Sequence, residues 1–251
     1  RLGAILDLPE VDFPAGTRDI DNGVTTLQAD TIAAGTDVVT YAKLVERTEG
    51  GRLFVSADGD LTFKNRRTPV TSTVAATFDD TGSNIPYSGI GIQVGSELLY
   101  NRATVTRLGG AVQDADNTSS QTSYGVRALD YTGLLFTTDD ESQTFASFLV
   151  SRYGTPRVRI DMLEINLARL SVTDANTVIG LELGDLVRVI YSPPGGGSAL
   201  DQNGIVEGIE HTIGIDQHRV KLSFSSALET TVFVLNDAVF GVLDSVYTLA
   251  Y

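Results

Sequence analysis

One stretch constrains the fold of this chain more than any other: residues 123–167 carry strand, helix and strand signals in unbroken succession. Thr138 stands at an N-cap position, and Asp139 and Asp140 place negative charge in the first turn. Glu141, three residues after Thr138, closes a capping box in which each side chain accepts from the other residue's amide. Phe145, Phe148 and Leu149 then recur at helical spacing, Ala146 and Val150 widen the apolar stripe, and Gly154 followed by Pro156 ends it. These signals predict a helix of about fifteen residues, ~22 Å long, whose apolar face must lie on a sheet or on a partner. Val158, Ile160 and Met162 on one parity, and Leu163, Ile165 and Leu167 on the other, make the next strand apolar on both faces and therefore internal. The stretch reads as a β-α-β unit and holds no catalytic chemistry.

The rest of the chain is punctuated by turns. Leu2, Ile5 and Leu6 suit the last turns of a helix before Pro9, and Val38, Val39, Tyr41, Ala42, Leu44 and Val45 give a second helix from Thr36 that stops at Gly50-Gly51. Asp58-Gly59 between two apolar runs signals a hairpin. Residues 74–78 read as extended, 79–84 as a turn, 90–94 and 97–108 as strands, 114–123 as a polar loop and 124–129 as the strand before the long helix. Beyond it, 170–177 reads as a connection, 186–191 as a strand and 193–197 as a Pro-Gly loop. Residues 205–213 and 219–224 form a second hairpin around 214–217, and an apolar tail closes the chain. The expected fold class is α+β and β-rich, with small β-barrel or sandwich domains and an inserted α/β unit around one long helix. The expected domains are 1–80, an α+β subdomain with helix and hairpin; 81–167, the β-α-β insertion; and 168–251, a small barrel-like domain with an apolar C-terminal segment.

With 42% hydrophobic and 20% charged residues in 251, the chain is globular, and no apolar run approaches the roughly eighteen residues a membrane helix needs. It opens on Arg1 and its one Met is Met162, which leads to the expectation of a segment of a longer polypeptide. The absence of Cys excludes disulfides, thiolate metal sites and thiol nucleophiles from these residues. A formal charge of −14 argues against coating a phosphate backbone, which takes clustered Lys and Arg.

Candidate chemistry is sparse. Residues 114–119 (DADNTS) resemble the start of a calcium loop, but the sixth position is Ser119 where Gly is needed and the twelfth is Gly125 where a bidentate Glu should sit. His211 and His218, with Glu210 and Asp216 nearby, invite a metal reading. Adjacent strand residues point to opposite faces, so at most one of Glu210 and His211 can join His218. The preferred reading is structural, a hairpin His donating to a backbone carbonyl or to water. Gly89, Gly91 and Gly95 miss the dinucleotide fingerprint by one residue and open no evident helix. The carboxylate pairs Asp79-Asp80 and Asp139-Asp140 are sequence neighbours, whereas glycosidase carboxylates come from separate elements. The expectation is no catalytic, cofactor-binding or metal site, and no cofactor.

Several stretches, taken in order, resemble a known family: residues 46–66 (ERTEGGRLFVSADGDLTFKNR), 123–129 (SYGVRAL), 145–163 (FASFLVSRYGTPRVRIDML), 183–189 (LGDLVRV), 206–213 (VEGIEHTI) and 232–244 (VFVLNDAVFGVLD). Together they are similar to minor tail proteins of long-tailed (siphovirus) phages of actinobacteria, themselves similar to the baseplate-hub proteins of other tailed phages. The resemblance implies a non-enzymatic structural virion protein at the tail tip, built of small β-barrels with α/β insertions and assembled as a homotrimer around the tail axis. It also implies a further barrel region before Arg1, whose strands the closing strands of this chain would complete. The implied partners are distal tail, tape measure and fibre or receptor-binding proteins, DNA that passes only transiently through the channel, and the host cell envelope. The competing expectation is a carbohydrate-binding or cell-wall-degrading tail module.

The C-terminal tail concentrates Phe233, Leu235, Phe240, Leu243, Tyr247 and Leu249 with Asp237 and Asp244 as its charges. These six residues are the candidate oligomer interface, because soluble monomers rarely expose so large an apolar patch. An ordinary pair of core strands has the same pattern. An acidic ring would also suit a channel that DNA must cross without sticking.

Overall fold

The computed structural model describes residues 1–68, 73–95, 98–227, 232–233 and 248–249. In chain order its elements are α1 (Leu2–Leu6), β1 (Arg18–Ile20), α2 (Val38–Glu49), β2 (Arg52–Val55), β3 (Leu61–Lys64), β4 (Ala76–Asp79), β5 (Ile85–Pro86), β6 (Gly89–Gly95), β7 (Arg102–Arg107), β8 (Val112–Asp116), α3 (Thr118–Tyr124), β9 (Ala128–Leu134), α4 (Asp139–Tyr153), β10 (Arg157–Asn166), α5 (Val172–Ile179), β11 (Leu186–Tyr191), β12 (Leu200–Ile213), β13 (His218–Ser226), β14 (Val232–Phe233) and β15 (Thr248–Leu249). The fold is mixed α+β and β-rich. Among the described residues, no helix is long and apolar enough to cross a membrane.

The chain forms two compact, interleaved units, one of Arg1–Arg66 with Gly95–Arg157 and one of Arg67–Val94 with Val158–Tyr251. The three consecutive domains expected from the sequence, 1–80, 81–167 and 168–251, make a different statement, that each stretch folds alone, which limited proteolysis would test.

In the first unit, Asp37 caps α2 by accepting from the Thr40 amide at 2.7 Å, and Gly50 ends it at φ 63°, a left-handed position that favours glycine. The next residue, Gly51, is required for a different reason: a Cβ there would lie 2.5 Å from the Lys64 carbonyl and 2.8 Å from the Phe63 ring. The expected hairpin is β2–β3, turned through Gly59 at φ 90°, and β1 joins it parallel to β3. Leu2, Ile5, Tyr41, Ala42, Val45, Phe63 and Leu135 bury a core there. The capping box of α4 is formed as expected, with Thr138 Oγ1 accepting from the Glu141 amide and Glu141 Oε2 accepting from the Thr138 amide, each at 3.2 Å. The helix lies on a three-stranded sheet of order β8-β7-β9, where Phe145 packs among Tyr131, Phe136 and Phe148.

In the second unit, seven strands pair in the order β5-β4-β11-β12-β13-β10-β6, and the sheet curls into a half-barrel. Its core holds Phe78, Leu163, Ile165, Val187, Val206, Val220 and Leu222, all at 0% exposure. Strand β10 is internal, as its two apolar parities predict.

Three local expectations need correction. The strands flanking α4 do not share a sheet: β9 pairs with β7, while β10 pairs with β13, so the β-α-β reading holds only for strand, helix and strand in sequence. The polar stretch 114–123 is not a loop. Its first residues pair with β7 as β8, and Asn117 accepts from the Ser120 amide at 3.0 Å to start α3, which runs into the expected strand at 124–129. The connection at 170–177 contains α5, capped by Ser171, which accepts from the Asp174 amide at 3.1 Å.

Candidate functional site

Two buried acidic side chains, Glu49 and Asp79, are committed to backbone amides. Glu49, in the last turn of α2, is 2% exposed and lines a cleft of about 480 Å³ with Leu2, Ile20, Asp21, Asn22 and Phe63. Burial pushes its carboxyl above the usual range, partly offset by the amides of Val24 and Thr25, which donate to it at 3.0 and 3.2 Å. A carboxylate whose two oxygens already accept main-chain amides holds a loop in place; it is poorly placed to take a proton from a substrate. Gly23 is the matching close approach, since a Cβ there would stand 2.4 Å from Glu49 Oε1. Sequence reasoning missed Glu49. The available signal was an acid at a helix C-terminus, where the macrodipole disfavours it unless something else binds it.

Three of the four carboxylates in the two sequence pairs are likewise engaged. Asp79, buried at the end of β4, accepts from the amides of Thr81, Gly82 and Ser83 at 3.1, 2.8 and 3.2 Å and from Asn84 Nδ2 at 2.6 Å. Burial opposes its ionisation, but the Asn84 amide and these backbone donors outweigh that and hold its pKa below the ordinary value. Asp80 accepts instead from the Ser192 amide at 2.8 Å. Asp139 accepts from Arg107 Nε at 2.6 Å, beside the N-terminus of α4.

Glycines 89, 91 and 95 lie in strand β6, not at a phosphate-binding turn, and a Cβ on Gly91 would meet Asp161 Oδ1 at 2.5 Å. His211 is exposed and His218 is half-buried. They meet each other, with His211 Nδ1 lying 3.0 Å from His218 Nε2. Just beyond them, Ile213 and Ile215 are exposed at the tip of the β12–β13 hairpin, at 73% and 103%.

Of the six candidate interface residues, Phe233 lies in β14 and Leu249 in β15, which pair in parallel with Phe233 opposite Leu249. Leu235, Phe240, Leu243 and Tyr247 lie outside the described residues.

No protein-family model and no curated protein matches the chain. Solved structures do. The 43 kDa tail protein of prophage MuSo2 from Shewanella oneidensis superposes with a TM-score of 0.58 at 17% identity, covering 90% of this chain and 63% of that one. The tail protein from Neisseria meningitidis MC58 superposes with a TM-score of 0.59 at 15% identity, covering 89% of this chain and 65% of that one. The fold is shared with two tail proteins. At these identities the likeness is one of fold, and the chain spans less than two thirds of either protein's length.

Proposed function

We propose that this chain is a structural protein of a phage tail, and more narrowly a minor tail protein or baseplate hub at the tail tip, of the kind its sequence resembles in siphoviruses of actinobacteria. The observation that carries the reading is the fold likeness to two tail proteins over about nine tenths of the chain. The reading includes a homotrimer ringing the tail axis, contacts with distal tail, tape measure and fibre or receptor-binding proteins, contact with the host envelope, transient passage of DNA and no enzymatic activity. The commitment of Glu49 and Asp79 to backbone amides supports a structural role, and the apolar hairpin tip at Ile213 and Ile215 supports a chain that meets other surfaces.

The trimer and its interface at Phe233, Leu235, Phe240, Leu243, Tyr247 and Leu249 are tested by light-scattering mass measurement with and without residues 232–251. The expected result is three times the 26.8 kDa chain mass for the whole chain and a monomer for the truncated one. A soluble monomer in both cases would remove the tail from the interface and overturn the trimer.

A further inference from the structure

Both histidines of the chain stand at the far end of one hairpin. Antiparallel pairing sets His211 opposite Val220 and Ile213 opposite His218. The two imidazoles therefore share a face, diagonal to each other across the ladder. Their centroids are 5.2 Å apart with the planes inclined at 50°, and the facing nitrogens, His211 Nδ1 and His218 Nε2, are 3.0 Å apart.

We propose that His211 and His218 form a two-nitrogen, solvent-open binding site for a late divalent transition metal: Zn(II), Ni(II) or Cu(II). The geometry supplies the reason. Two imidazole nitrogens bound to one ion at about 2.0–2.1 Å are about 2.9 Å apart at a right angle and about 3.3 Å apart at the tetrahedral angle. The observed 3.0 Å falls between these limits, so the ion enters by small ring rotations without movement of either strand. The ladder holds the spacing: Thr212 pairs with Arg219 between the two histidines, and the Gly214 amide donates to the Gln217 carbonyl at 2.8 Å to close the turn.

The protons balance. In the free pair, one neutral ring donates its N–H to the lone pair of the other. On binding, that proton moves through water to the same ring's other nitrogen. His211 then carries its proton on Nε2 and His218 on Nδ1, and both facing lone pairs point to the ion. No proton is lost overall, and both rings stay neutral.

The donor set also selects the ion. Mg(II) and Ca(II) take oxygen ligands, whereas paired imidazoles suit Cu(II), Ni(II) and Zn(II), with Cu(II) the tightest. Glu210 falls on the opposite face of the ladder, across from Lys221. Among the described residues, no group of three or more His, Asp or Glu gathers around an ion. The chain therefore supplies two ligands, and water or a donor from another molecule fills the remaining positions. This proposal departs from the expectation of purely structural histidines.

The test is calorimetric titration of the chelator-stripped chain with Zn(II), Ni(II), Cu(II) and, as a control, Ca(II), with the histidine Cε1–H resonances followed by NMR. The expected result is one saturable equivalent for each transition metal, no heat with Ca(II), and both histidine resonances moving together on Zn(II) addition. His211→Gln and His218→Gln should each cost more than the ~10-fold that losing a hydrogen-bonding neighbour of a ligand costs, with an unchanged far-ultraviolet spectrum. Absence of one-equivalent binding by all three metals would overturn the site. So would equal affinity in the H211Q/H218Q double variant, which would assign the binding to surface carboxylates.

Discussion

The two units are held together differently. Of the buried polar residues, Thr48, Glu49, Thr62, Asn101, Ser120 and Ser142 lie in the first unit and Asp79 alone in the second, among the described residues. In the first unit Thr48, Glu49 and Asn101 tie distant backbone segments together. Asn101 donates to the Gly125 carbonyl at 2.7 Å and accepts from the Arg127 amide at 2.8 Å, while Thr48 donates to the Leu44 carbonyl at 2.9 Å and accepts from the Leu135 amide at 3.1 Å. The second unit instead buries an aliphatic layer against one long-range sheet. A fold of short elements needs its irregular backbone satisfied by side chains, whereas a broad sheet satisfies its own. Single polar substitutions should therefore damage the first unit, and cavities should damage the second.

The largest effect is expected from Phe78→Ala, which removes a fully buried ring from the core of the second unit and should cost about 3–5 kcal/mol in denaturant unfolding. Phe145→Ala in the first unit should approach the same value, because Phe145 is the buried ring of α4. Phe148, half-buried, should cost less. Asn101→Ala comes next, at about 2–3 kcal/mol, since it removes the hydrogen bonds by which a fully buried side chain holds the Gly125 carbonyl and the Arg127 amide. A loss below half a kilocalorie there would break the distinction between the units.

Glu49→Ala should cost about 1.5–3 kcal/mol by freeing the Val24 and Thr25 amides. Thr138→Ala, which removes only the cap of α4, should cost about 1 kcal/mol.

Acid sharpens the same contrast. Asp79 has a depressed folded pKa, so its contribution is fully present above the unfolded value near 3.9 and is lost as pH falls through the folded one. Glu49 has a raised folded pKa, so the stability tied to its protonated form is present below the unfolded value near 4.3 and is lost as pH rises through the folded one. Asp79→Asn should flatten the acid-side fall in stability, and Glu49→Gln should steepen it. The same slope in both variants, read from unfolding midpoints between pH 3 and 6, would contradict these assignments.

What was legible in the sequence is what neighbouring residues decide. The capping box marked α4, Gly50-Gly51 ended α2, and Asp58-Gly59 turned the first hairpin. The order of the large sheet was not legible, because β4 pairs with β11 and β10 with β13 across long separations, and aliphatic strands carry no label for their neighbours. Helices α3 and α5 were less legible although Asn117 and Ser171 stood ready as caps: α3 is almost wholly polar, and α5 is two turns long, so its apolar spacing at Val172, Ala175 and Val178 is too short to stand out. The histidine pair was half legible. The turn at 214–217 implies a register, and that register places His211 and His218 on one face, but only the folded ladder shows their nitrogens meeting.

The proposal that this chain is a structural component of the tail tip is tested most directly by gold-labelled antibody against it on intact tailed-phage particles whose genome carries this sequence, viewed by negative-stain microscopy. Label confined to the distal end of the tail, in every tailed particle, is the predicted result. Particles that carry no label, or carry it on the capsid, would contradict it.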